Sequence, residues 1–162
     1  MNRKPEKPFV DAWKEVRCSI SIASDTMTSK EVTTSVGIEP TRQRVKGESI
    51  SAKRPDTLVA SHLWVWEPDD SVDRSLDAQL DAIWLALGPR APRFKDLPTE
   101  IMVRLSIWIT HYGKELLLGW ALSRQHVDLA AAFGASLDID EYDATGDENI
   151  DDEYDETDAA EG

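Results

Sequence analysis

Residues 101–110, IMVRLSIWIT, set Ile101, Val103, Leu105, Ile107 and Ile109 on one side of an extended chain and Met102, Arg104, Ser106, Trp108 and Thr110 on the other. Successive side chains of a strand point to opposite faces, so this stretch predicts a strand with one buried face and one mostly wet face. Residues 17–23, RCSISIA, repeat the pattern with Cys18, Ile20 and Ile22 opposed to Ser19 and Ser21. Two wet strand faces imply that helices cover only one side of the sheet. The expected fold class is α+β: a single compact domain with a mostly antiparallel sheet, helices on one face, and a ferredoxin-like character.

The helices announce themselves by their ends. Thr28 with Glu31 three residues later is a capping box, Met27 and Val32 stand in staple register, and Gly37 supplies a left-handed stop. A second helix is expected to open at Pro68-Asp69-Asp70-Ser71. Val72, Leu76, Leu80, Ile83, Trp84 and Leu87 recur along it at three- and four-residue intervals, and Gly88-Pro89 ends it. A third is capped by Ser123, with Leu122 and Val127 in staple register and Gly134 at its end. Further strands are expected over 58–66 (LVASHLWVW), over Leu116–Leu122 and at Leu137–Asp140. Residues 39–57 read as a basic loop and Pro89–Pro98 as a connector. The order strand, capped helix, glycine occurs twice, which leaves internal duplication open beside chance similarity of capped helices.

The formal charge of −13 is unevenly spread: from Asp138 to Gly162 there are 13 acids and no base, while the preceding residues hold 18 acids against 18 bases. A charge-balanced body does not attract nucleic acid or anionic lipid over its whole surface. The expected division is an N-terminal extension over 1–15, an α+β domain over 16–143 and an acidic disordered tail over 144–162. No apolar run approaches the ~20 residues of a membrane span, and Met1–Pro8 lacks an apolar stretch behind it, so a cytoplasmic location is expected. Cys18 is the one cysteine and sits within an apolar alternation, which suits a small buried hydrophobe.

Chemical motifs are sparse. His62, His111 and His126 stand at no metal-ligand spacing, no Gly-x-Ser-x-Gly or glycine-rich phosphate loop occurs, and the tail fails the calcium-loop register, so neither metal nor cofactor is expected. His111, before Gly113, reads as a turn residue, and His126 falls at the capping-box position of its helix. Asp73, Asp77 and Asp81 form an acidic ridge that reads as a solvated face. The candidate binding residues are Arg42, Arg44 and Lys46 of the basic loop, which Lys53 and Arg54 extend, and Trp64, Trp66 and Trp108. Trp64 and Trp66, two apart, share a face of their strand, and Trp108 lies opposite its apolar stripe; tryptophan is enriched at interaction surfaces.

The segments RCSISIASD (17–25), TSKEVTTSVG (28–37), GIEPTRQRVKG (37–47), SLDAQLDAIWLALGP (75–89) and WALSRQHVDLAAAFGASLDIDEYD (120–143) together resemble the bacterial family domain of unknown function 4279. The resemblance covers roughly residues 16–143 and implies a compact α+β domain; it brings no catalytic residues. The expected role is a non-enzymatic protein-interaction domain, in one version an immunity-type or antagonist protein binding a basic partner, with nucleic acid disfavoured. The alternative is a small-molecule or nucleotide-binding domain, including an unrecognised enzyme, with its site near residues 41–46.

Overall fold

The structure, a computed structural model, describes residues 13–113 and 120–145. The N-terminal extension before Trp13 and the acidic tail beyond Thr145 lie outside them. So does most of the strand expected at Leu116–Leu122, whose described part, residues 120–122, is not extended in a sheet.

Two twelve-residue strands, β1 (Trp13–Ser24) and β6 (Met102–Gly113), pair antiparallel at the sheet centre with Ser19 opposite Ser106. Helix α1 (Ser29–Val36) follows β1, and β5 (His62–Trp66) returns antiparallel along β1. Next come α2 (Leu76–Leu87), a 3-10 turn (Gly88–Arg90) and the single-turn α3 (Ala91–Lys95). After β6, α4 (Arg124–Phe133) leads to β7 (Ser136–Thr145), which joins β6 in parallel. With β2 (Arg42–Arg44) beside β5, the sheet order is β2-β5-β1-β6-β7. The expected layering holds: an α+β domain with its helices on one face of a mostly antiparallel sheet. The ferredoxin-like likeness stays at the level of layers, because β7 enters beside β6 in parallel.

The apolar stripes carry this arrangement. Val16, Cys18, Ile20 and Ile22 of β1 and Val103, Leu105, Ile107 and Ile109 of β6 are all buried in one core cluster. The helical layer answers with Val32 and Val36, Leu80, Ile83 and Leu87, Phe94, and Leu129 and Phe133. Phe94 meets Trp64 and Phe133 edge-on, at centroid distances of 6.0 and 5.1 Å, so three elements lock through one aromatic row. Both outer helices use the devices read from the sequence: Thr28 and Ser123 make capping boxes with Glu31 and His126, and Gly37 and Gly134 end the helices at φ of 76° and 63°. No helix among the described residues is long and apolar enough to cross a membrane.

Five expectations are corrected. The basic loop contains β2 and a small separate hairpin, β3 (Ser49–Ser51) with β4 (Arg54–Leu58). Every described side chain from 41 to 53 is exposed, so no burial period marks these strands in the sequence. The strand expected over 58–66 is accordingly split, with β4 ending at Leu58 and β5 starting at His62. Helix α2 starts at Leu76 instead of near Pro68. Asp69 and Asp73 accept hydrogen bonds from the Ser71 and Ser75 amides at 2.9 and 2.8 Å, and such local bonds compete with the helix. The Pro89–Pro98 connector holds α3, which buries Phe94. His111 belongs to β6 and is buried, since the alternation of the strand runs on past Ile109.

One buried polar residue closes a gap that pattern reading does not reveal. Pairing of β5 with β1 starts at Ile20, which leaves the earlier part of that β1 edge without a strand partner among the described residues. There the Val16 amide donates to the Arg74 carbonyl at 2.8 Å, and the Cys18 amide to Gln79 Oε1 at 3.4 Å. Gln79 is only 1% exposed, and its Nε2 donates back to the Asp73 carbonyl at 3.0 Å.

Replacing Gln79 with Leu keeps the volume but strands the Cys18 amide, so a loss of about 1–3 kcal/mol is expected in urea unfolding. A change within ~0.5 kcal/mol, the scatter of ordinary surface substitutions, would show that Arg74 alone seals the edge. A second expectation concerns pH. The Thr28 amide and, next, the Thr28 hydroxyl hold the Glu31 carboxyl below its usual 4.5. A depressed carboxylate stabilises above its unfolded value, and that contribution disappears as pH falls through the folded value. Glu31→Gln is therefore expected to melt below the parent at pH 7, with the difference closing as the pH drops below 4.5.

Candidate functional site

Because all four helices pack on one side, the other side of the sheet carries the alternate residues of every strand. Cross-strand register builds it in rows. Arg44 stands opposite Leu63, and Arg42 opposite Val65, which lies opposite Ser21 and then Arg104. Arg17 faces Trp108, and Trp108 faces Asp140 of β7. This open face is mixed polar and apolar, with Trp108 half-buried near its middle and Val65, Ser19 and Ser106 buried within it.

The cations on it are already matched. Arg17 pairs with Glu15 at 3.1 Å, Arg104 with Asp138 at 3.1 Å and Arg42 with Glu67 at 3.8 Å, while Arg44 Nη1 donates to the Ile50 carbonyl at 2.8 Å. Lys46 leaves the face altogether: its Nζ contacts Asp25 at 3.0 Å, and its amide donates to His62 Nδ1. That Lys46 bond, followed by one from Ser61, holds the Asp25 carboxyl below the usual carboxylate range. Exposed pairs of this kind contribute little to stability. Their consequence is electrostatic, since acidic neighbours cancel Arg17, Arg42 and Arg104, Arg44 keeps its charge against a backbone carbonyl, and β7 carries four acids and no base.

Lys46 stands apart, and the other five candidate residues separate into two groups. Arg42, Arg44 and Trp108 share the open face. Trp64 and Trp66 share a face too, as their spacing requires, but it is the core face. Trp64 is 1% exposed, and its indole N–H donates to Thr33 Oγ1 at 3.2 Å. The three basic candidates and the tryptophans do not converge on one pocket: Arg42, Arg44 and Lys46 line none of three cavities of about 450, 530 and 350 Å³, whereas Trp66 lines the smallest together with Thr41 and Arg17.

Two histidine–carboxylate contacts were not legible as such. His111 Nε2 lies 2.6 Å from Glu141 Oε1, which also accepts the Trp120 indole N–H at 3.3 Å. His126 Nδ1 accepts the Ser123 amide at 3.2 Å, so Nε2 carries the proton towards Asp77, 2.9 Å away. Asp77 belongs to α2 and His126 to α4; the contact ties two helix N-termini together. With Asp73 outside α2 and Asp77 committed to His126, the acidic ridge is not a continuous helix face. The signal that could have found both contacts is position: His111 continues the apolar stripe of β6, and His126 occupies the capping position normally held by Glu or Gln.

Cys18 lies in the core beneath this face, where burial pushes its thiol up to about 12. A thiol so placed is not a nucleophile at neutral pH. Truncation separates the two tryptophan environments: Trp64→Ala is expected to cost about 3–5 kcal/mol. Trp108→Ala should cost well under half of that in the same urea titration, because its ring stands on the open face. Equal losses would place Trp108 in a packed layer.

No curated protein and no solved structure matches this chain. The family described as Domain of unknown function (DUF4279) matches residues 14–144, which takes in both central strands, all four helices and nearly all of β7. The chain belongs to the DUF4279 family.

Proposed function

We propose that this domain is a cytoplasmic, non-enzymatic protein-interaction module of bacterial type, an antagonist that meets a basic surface on its partner. The observation that carries the reading is the charge layout around the open sheet face. Arg17, Arg42 and Arg104 are matched by acidic neighbours, Asp138 among them, whereas β7 carries Asp140, Glu141 and Asp143 besides, and no base follows in the sequence. A face with a half-buried tryptophan, bordered along β7 by acids, suits a protein surface better than a small ligand. The negative border steers a basic partner into register, and the face beside it supplies the contact area.

Capture from the native cell with and without residues 146–162, followed by kinetics on the recovered partner, tests this reading. Removal of the last acids is expected to slow association about tenfold or more at low salt and to flatten its salt dependence, because charge steering acts on the on-rate. Unchanged affinity and salt slope would sink the electrostatic part of the reading.

A further inference from the structure

The two edges of the sheet are closed by different means. One ends in β2, which is three residues long. The other ends in β7, whose ten residues all pair with β6 on one side, and no strand lies beyond it among the described residues. An edge strand presents unpaired backbone N–H and C=O groups, and proteins blunt such edges by keeping them short or by charging them. β2 is short. β7 is long, and its guard is charge.

That charge discriminates between occupants. In register, Asp138 and Asp140 stand with Ser106 and Trp108 on the open side of the sheet, and Glu141 and Asp143 stand with Ile109 and His111 on the helical side. Acids therefore flank the edge on both faces. A second copy pairing β7 against β7 would set like charges across the strand in either direction, and such pairs destabilise. A segment with Lys or Arg at alternate positions meets the opposite charge from either face. Asp138 and Glu141 are held in place for this by Arg104 and His111, and exposed Tyr142 adds an apolar contact on the open side.

The geometry points to β7 as a strand-addition site for a basic extended segment of the partner protein. The inference rests on the interaction reading above and adds the element used and the local structure of the partner. Main-chain hydrogen bonds along the edge supply the affinity, and alternate basic side chains supply the selectivity.

The test uses the full chain and a synthetic ten-residue peptide alternating lysine and threonine, read by titration and by amide hydrogen exchange. Binding is expected to slow exchange in β7 and to leave β2 and β5 unchanged. A version with every backbone amide methylated keeps the charge but cannot pair; it is expected to bind at least tenfold more weakly, and a glutamate version not to bind. Equal binding of the methylated peptide, binding without slowed exchange in β7, or no binding of the lysine peptide would each overturn strand addition. Slowed exchange in β7 that grows with protein concentration in the absence of peptide would overturn it in favour of self-pairing. These outcomes are separable from failure of the interaction reading: partner binding that needs the acidic end but leaves β7 exchange unchanged keeps that reading and removes this one.

Discussion

The pairing of β1 with β6 is the constraint from which the rest of the domain follows. Eleven residue pairs run from Trp13 opposite Tyr112 to Ala23 opposite Met102. Strand periodicity then decides everything about sidedness. Once Ile20 and Leu105 face the core, Ser21 and Arg104 must face away from it, and a slip of one residue would exchange the two sets. The cost of exposing the stripe Val16, Cys18, Ile20 and Ile22 together with Val103, Leu105, Ile107 and Ile109 fixes this register more firmly than any turn does. A single apolar face calls for one helical layer, so the open face is a consequence of the core.

The helical layer is joined to that sheet at its ends as much as through its middle. Gln79 and the Arg74 carbonyl bind the part of the β1 edge that β5 does not reach, which draws the start of α2 against the sheet. His126 couples the start of α4 to the start of α2 through Asp77. On α1, Ser29 Oγ donates to the Leu63 carbonyl at 2.9 Å, and Trp64 reaches Thr33. Helices α1, α2 and α4 therefore each have a polar tether near the N-terminus in addition to the buried stripe.

What was readable in the sequence follows from this division. Burial leaves a period, so β1, β6, the caps of α1 and α4 and the apolar face of α2 could be read directly. The spacing of Trp64 and Trp66 puts them on one face, but which face depends on where Phe94 packs, and Phe94 sits between prolines in a segment without a helical period. The described side chains of the β3–β4 hairpin are exposed and leave no period. The length of β7 was hidden because Asp138, Asp140, Glu141 and Asp143 look like the start of a tail; only pairing with β6 shows that they belong to a strand. Gln79 was concealed among apolar neighbours, since a polar residue on a buried helix face signals nothing until its acceptor and donors are known.

The last of these features changes the meaning of the net charge. Acids on a strand are disfavoured by propensity and by mutual repulsion, so four of them in a ten-residue strand need compensation. Part of it is visible: Arg104 lies against Asp138, and both His111 and Trp120 direct hydrogen atoms at Glu141. The opposite edge shows what the alternative would have been, a three-residue strand carrying Arg42 and Arg44. A domain that needed only to keep its sheet from growing could have shortened β7 in the same way. It keeps the full length with acids on both faces, and among the described residues no strand lies beyond it.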